Sequence, residues 1–123
     1  MKILLMSLLL LCLTAGSLFA EVKVIGKGSS LKLDSSKLPP NLQHAYETLS
    51  DRCTKCHSQE RIVVSFLNGV APISGQPFDS NAMKSVIYTM VRKANAKPAT
   101  TISKDQEKEI VSLMKYLMEE STR

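Results

Sequence analysis

The stretch CTKCHSQERIV, residues 53–63, places two cysteines and a histidine within five positions. Cys53 and Cys56 are separated by two residues, and His57 directly follows the second thiol. Three kinds of site use a Cys-x-x-Cys core: a structural zinc site, a redox-active disulfide and an attachment point for covalent heme. The segments on either side of the stretch help to decide between them, and they also predict the fold.

The segment before the cysteines has the pattern of an amphipathic helix. We predict a helix from about Asn41 to Arg52, which begins after Pro39 and Pro40, where a missing N–H costs little. Its apolar side chains recur at the three- and four-residue intervals of a single helix face. They are Leu42, Ala45, Tyr46, Leu49 and Cys53. The Cys-x-x-Cys motif is therefore expected at the C-terminal end of a helix.

The segment after the cysteines predicts a second helix and then a loop. Ser58 has the position of an N-cap, and Gly69 has the position of a stop signal. Residues 69–79 follow with two glycines and two prolines, a composition that is typical of a loop.

Two more helices are predicted towards the C-terminus. The third begins near Asp79 or Ser80 and runs to about Lys93, and the last begins after Ser103, which forms a capping box with Gln106. One apolar stripe follows the third helix: Ala82, Met83, Val86, Ile87, Met90, Val91 and Ala94. The predicted fold class is therefore all-α, with about four helices.

The first residues of the chain, 1–20, have the layout of a secretory signal peptide. Lys2 gives a positive start, residues 3–13 form an uncharged apolar run, and small residues follow. The run is short for a membrane span, which needs about 20 residues. We predict export to the periplasm with cleavage after Ala20 or Gly16, and no membrane span in the mature chain. An uncleaved anchor is the alternative.

The remaining chain divides into an arm and one domain. Residues 21–38 are rich in Lys, Ser and Gly, and their weak alternation is compatible with a short extended pair or with a loosely ordered arm. Residues 39–123 form the predicted domain, since 123 residues suggest no more than one.

Composition limits the classes of function. The chain has no Trp, three Phe and three Tyr, so a domain of this size has little core material and often needs a cofactor. Its formal charge of +5 is modest. Such a charge fits docking to an acidic protein partner, whereas no basic cluster is dense enough to indicate nucleic acid.

The surroundings of the cysteines favour heme over zinc or disulfide exchange. Zinc needs four ligands in a tetrahedron, but Cys56 and His57 are adjacent and only His44 is left as a fourth. A redox-active pair is expected at a helix N-terminus, whereas this pair ends a helix. Covalent heme uses all three residues, because two thiols form thioethers and the following His binds the iron. We therefore predict one heme c on Cys53, Cys56 and His57.

Further segments carry a resemblance to a known family. A helix ending in CTKCH, a last helix of the form ISKDQEKEIVSLMKYL, and a middle with ERIVVSFLNGVAPISGQPFD followed by VIYTMVRK are the matching parts. With these parts the chain resembles the small monoheme c-type cytochromes of class I, in a bacterial form with a shortened middle, over roughly residues 39–120. The resemblance implies a cytochrome c-like fold around one heme, redox partner proteins, and electron transfer rather than an enzyme's activity.

The resemblance also implies a Met as the second axial ligand of the iron. Met90 is similar to the ligand of the shorter members, since it precedes a basic pair, and Met83 on the same helix face is the runner-up. Many class I members have the ligand next to a proline before the last helix, where this chain has Lys97. His44, Lys97 and an open site stay as lesser alternatives.

Two further expectations concern the histidine and the function. The carbonyl of Pro72 or Pro77 is expected to accept a hydrogen bond from Nδ1–H of His57 and so fix the ring. The alternatives to a soluble carrier are a relay subunit of a larger oxidoreductase and a gas-binding or enzymatic heme protein with an open sixth site.

Overall fold

The computed structural model describes residues 22–71 and 74–122, and these residues form four α-helices and one small antiparallel sheet. The helices are α1 (Gln43–Arg52), α2 (Glu60–Asn68), α3 (Ser80–Ala94) and α4 (Lys104–Thr122). The strands are β1 (Val24–Ile25) and β2 (Lys32–Leu33). The predicted all-α class is confirmed at this level, with the sheet as a minor addition. The predicted signal peptide lies outside the described residues.

Helix α1 packs against α4, and this contact is the most extensive between helices of the described chain. Leu49 of α1 and Leu113 of α4 are fully buried in it. Burial of one such side chain contributes about 1.5–3 kcal/mol. At the surface of the same contact, Nδ1 of His44 lies 2.5 Å from a carboxylate oxygen of Glu109. The helix that ends at the cysteines is thus fixed along its length by the last helix.

The helix ends follow the predicted signals with one exception. Gly69 ends α2 with φ 70°, a left-handed conformation that glycine adopts without strain. The Asp79 side chain accepts the N–H of Ala82 at 2.8 Å and caps α3. Ser103 and Gln106 bond reciprocally in the predicted capping box, at 2.9 and 3.1 Å.

No helix in residues 22–71 and 74–122 is both long and apolar enough to cross a membrane.

The exception is the start of α2, where the prediction of Ser58 as the N-cap was wrong. The residue before the helix is Gln59, which already has helical backbone angles of −62° and −26°. Its carbonyl accepts the N–H groups of Ile62 and Val63, at 3.0 and 3.1 Å. Its side chain bonds instead to the backbone of Leu33 in β2.

Residues 22–38 pack onto the helices as part of one core. The two strands pair with Val24 opposite Leu33, so the short extended pair is the arrangement that the structure shows. Val22, Leu33 and Leu38 are all buried in the main core cluster. The core of the described chain therefore includes this segment as well as the predicted domain.

Gln59 connects the β-hairpin to the start of α2. Its side-chain oxygen accepts the backbone N–H of Leu33 at 2.6 Å, and Gln59 itself is only 9% exposed. A buried amide group and a buried backbone N–H satisfy each other in this bond, which spans 26 residues of sequence. The hairpin is thereby bonded to a residue that lies two positions after His57.

We expect Gln59→Leu to lower the free energy of unfolding by about 1–3 kcal/mol, because the buried N–H of Leu33 loses its acceptor. Chemical denaturation measures this, and faster hydrogen exchange at the Leu33 amide should accompany it. Gln76→Leu is the matched control, because Gln76 is exposed and surface changes usually stay within about 0.5 kcal/mol. Equal stability of the two variants would contradict a role for the bond.

Candidate functional site

The Cys-x-x-Cys motif continues directly from the end of α1. Cys53–Lys55 form a single turn of 3₁₀ helix that Cys56 closes as its C-cap, and the N–H of Cys53 still donates to the carbonyl of Leu49. The Thr54 hydroxyl donates to the carbonyl of Ser50. These two bonds satisfy carbonyls that a helix end leaves without an intrahelical partner. The turn is therefore an ordered extension of α1, in the position that the sequence predicted.

The two thiols of the turn are free and have different surroundings. Cys53 is partly buried and packs against the main core cluster, whereas Cys56 is exposed. Burial raises the pKa of the Cys53 thiol above its usual value, and the nearby Cys56 raises it further. Cys53 is accordingly a protonated, less reactive thiol at neutral pH.

His57 follows the turn and is partly buried. Its Nδ1 lies 3.2 Å from the carbonyl oxygen of Ser58. When Nδ1 carries the proton it donates to this carbonyl, and Nε2 then keeps the lone pair that binds a metal. The predicted partner was a proline carbonyl: Pro72 lies outside the described residues, and Pro77 is exposed and pairs with Val70. Ser58 takes that place here.

The two candidate methionines of α3 have different degrees of burial. Met83 is 1% exposed and belongs to the main core cluster, together with Ile87 and Val91 on the next two turns. Met90 is only partly buried. Helix α3 packs mainly on α4 rather than on the turn with the cysteines. The structure thus groups Cys53, Cys56 and His57, and holds Met90 on a separate element.

The lesser ligand candidates have their own surroundings. The His44 side chain is 66% exposed and is paired with Glu109 on the surface between α1 and α4. Lys97 is exposed and precedes a 3₁₀ turn, where its carbonyl accepts the N–H of Thr100 at 3.2 Å. His44 therefore contributes to the packing of α1 on α4, and Lys97 belongs to the connection between α3 and α4.

Two further features bear on where a ligand is held. In residues 22–71 and 74–122 no group of three or more His, Cys, Asp or Glu side chains could hold a metal ion; a heme site needs only one or two protein ligands to the iron. An open groove of about 480 Å³ lies between the end of α3 and the start of α4. Its rim includes Arg92 and Lys104, and Lys104 is paired with Glu107 at 3.3 Å. Cys53, Cys56 and His57 are not among the residues that line this groove.

No protein-family model, curated protein or solved structure matches this chain.

The residues after α1 fit covalent heme: two free thiols three positions apart, and an imidazole directly after the second. No local pattern indicated that the side chains of Arg52 and Gln59, which lie near the cysteines, bond to distant backbone groups. The polar residue types were visible, but their partners lie tens of residues away.

We expect Cys56 to react faster than Cys53 in the chain purified without heme under reducing conditions. Its thiol is exposed, whereas the raised pKa of Cys53 leaves less thiolate at a given pH near neutrality. Timed alkylation with iodoacetamide, followed by mass spectrometry of the peptides, measures both rates. Cys53→Ser and Cys56→Ser separate the mutual effect of the thiols from burial. Equal rates in the folded chain would contradict the difference in environment.

Proposed function

We propose that this protein is a periplasmic electron carrier with one c-type heme, attached through Cys53 and Cys56 and ligated by His57 and Met90. The observation that carries the proposal is the ordered turn at the end of α1, with two free thiols and a histidine directly after them. The proposed arrangement is cytochrome c-like. It is supported by the packing of α1 against α4, which holds that turn at the edge of the core.

Cys53, Cys56 and His57 each have a distinct part in this proposal. The sulfurs of Cys53, which is partly buried, and Cys56, which is exposed, would hold the group through two thioethers. His57 provides Nε2 as the proximal ligand, with Nδ1–H donating to the Ser58 carbonyl. The bound heme supplies an iron that changes between Fe(II) and Fe(III). The protein itself catalyses no bond-making step.

Burial supports Met90 over Met83 as the second axial ligand. Met83 fills the core, which is the usual role of a methionine on an apolar stripe. Met90, two turns further along α3, is only partly buried. Its thioether would leave the core intact on binding iron, whereas recruitment of Met83 would open it.

The charge of the chain supports acidic protein partners. Sixteen Lys and Arg stand against eleven Asp and Glu, and most lysines of the described chain are exposed. Such a surface speeds encounter with a partner of opposite charge, and the effect falls as salt is added.

We expect one covalent heme per chain when the full sequence is expressed with a periplasmic heme-attachment system. Heme staining on a denaturing gel and the pyridine hemochrome spectrum measure this. Cys53→Ser and Cys56→Ser should each shift the hemochrome band, because one vinyl group stays unreacted, and the double variant should lose covalent heme.

Cys12→Ser is the matched control, because Cys12 is the one other cysteine of the sequence and lies outside the proposed site. It should load heme as the unchanged chain does. A full chain that stays without heme, while a known c-type protein is loaded in the same cells, would reject the proposal.

We expect Met90→Ala to abolish the charge-transfer band between methionine sulfur and ferric iron, and to let the reduced protein bind carbon monoxide. Met83→Ala should keep the band but lower the free energy of unfolding by about 2–5 kcal/mol, since it empties a fully buried position. Absorption spectra and chemical denaturation of both variants measure these effects. The reverse pattern would give the ligand role to Met83, and rapid carbon monoxide binding by the unchanged chain would indicate an open site.

A further inference from the structure

Arg52 makes a long-range contact beside the cysteines. It is the last residue of α1, directly before Cys53. Its Nη1 donates to the carbonyl of Ala99 at 3.0 Å, across 47 residues of sequence. Ala99 lies in the short 3₁₀ turn Pro98–Thr100, within the connection between α3 and α4. The end of α1 is therefore joined directly to a segment that follows the helix carrying Met90.

That connection is itself fixed to the end of α3. The Thr100 hydroxyl is buried with its residue and donates to the carbonyl of Ala94, the last residue of α3, at 2.8 Å. The side chain of Asn95 accepts the N–H of Ile102 at 2.7 Å and closes the same segment. These side-chain bonds fix the connection to the end of α3, so a displacement of Ala99 would also displace that end of the helix.

We propose that Arg52 is a positioning residue, which holds the end of α3, and with it Met90, at a fixed distance from the turn of Cys53 and His57. This role rests on the proposed function, because it matters only where two ligands meet one iron. Two successive hydrogen bonds make the link: Arg52 to Ala99, and Thr100 to Ala94. Both helices also pack on α4, which connects them less directly than this link does.

The residue types suit the role. Arginine carries a permanent charge and several N–H donors on a long side chain, so its bond to a carbonyl is charge-assisted and reaches between elements. Ala99 is exposed, and water replaces the lost donor when Arg52 is changed. Loss of Arg52 should therefore leave global stability nearly unaltered while it loosens the distance between the two ligands.

The test is a comparison of Arg52→Gln with the unchanged holoprotein. Imidazole competes with the methionine for the iron, and the concentration that removes half of the methionine–iron band reports how firmly Met90 is held. We expect this concentration to fall about 3- to 10-fold in Arg52→Gln, the size of effect that one hydrogen bond gives. Heme content and the thermal unfolding midpoint should stay near those of the unchanged chain.

Three further variants make the result specific. Arg52→Lys keeps a cationic donor and should restore part of the resistance to imidazole. Thr100→Val removes the second bond at nearly equal volume and should act in the same direction as Arg52→Gln. Arg61→Gln changes an exposed arginine on α2 and should have no effect.

The outcomes separate this role from the proposed function. Loaded heme with equal imidazole sensitivity in Arg52→Gln and Arg61→Gln would overturn the positioning role and leave the function intact. A rise in sensitivity that only follows a fall in the unfolding midpoint would also overturn it. A chain that carries no heme at all would remove the proposed function, and the role with it. Faster hydrogen exchange in residues 97–101 of Arg52→Gln supports the link independently of any ligand.

Discussion

Helix α4 packs against each of the other three described helices, and the rest of the structure depends on this shared surface. Its inner face consists of Ile110, Leu113, Met114 and Leu117, all of them buried. Through this face α4 fixes the direction of α1, and so the place where the turn with the cysteines leaves the core. It also fixes α3, which carries both candidate methionines. A small domain with few aromatic residues thus concentrates its burial on one helix.

The site stands at the border between this core and solvent. Cys53 packs against buried side chains while Cys56 is exposed, although the two residues belong to one turn. A flat group held across both sulfurs would have one edge against the core and another towards a partner. In the proposed function this asymmetry would be useful, because the side of Cys56 would face a partner while the core beside Cys53 would exclude water.

Local signals in the sequence were sufficient for much of the fold. The apolar period, the Gly69 stop, the helix start near Asp79 and the capping box at Ser103 all depend on residues within one or two helical turns, and the structure has each of them. The prediction at Ser58 was wrong: Gln59 takes the position before α2, and its side chain makes a contact with β2 that no local pattern indicates.

The candidate site was predictable in part for the same reason. The spacing of Cys53, Cys56 and His57 is a local pattern, and the structure places all three within the five residues that follow α1. Periodicity could not separate Met83 from Met90, because both belong to one stripe. Burial does separate them, and it depends on which edge of the stripe meets α4. Arg52 was equally hidden, because its partner is a main-chain carbonyl that any residue type provides.

The pairing of α1 with α4 has a consequence for the order of assembly. His44 and Glu109, which meet across this contact, are 65 residues apart. Closing a loop of that length costs about 4 kcal/mol of chain entropy beyond a constant term. Until α4 docks, the apolar face of α1 lacks its most extensive helix contact. The part of the chain that carries the cysteines therefore gains its full packing only when the last helix is in place.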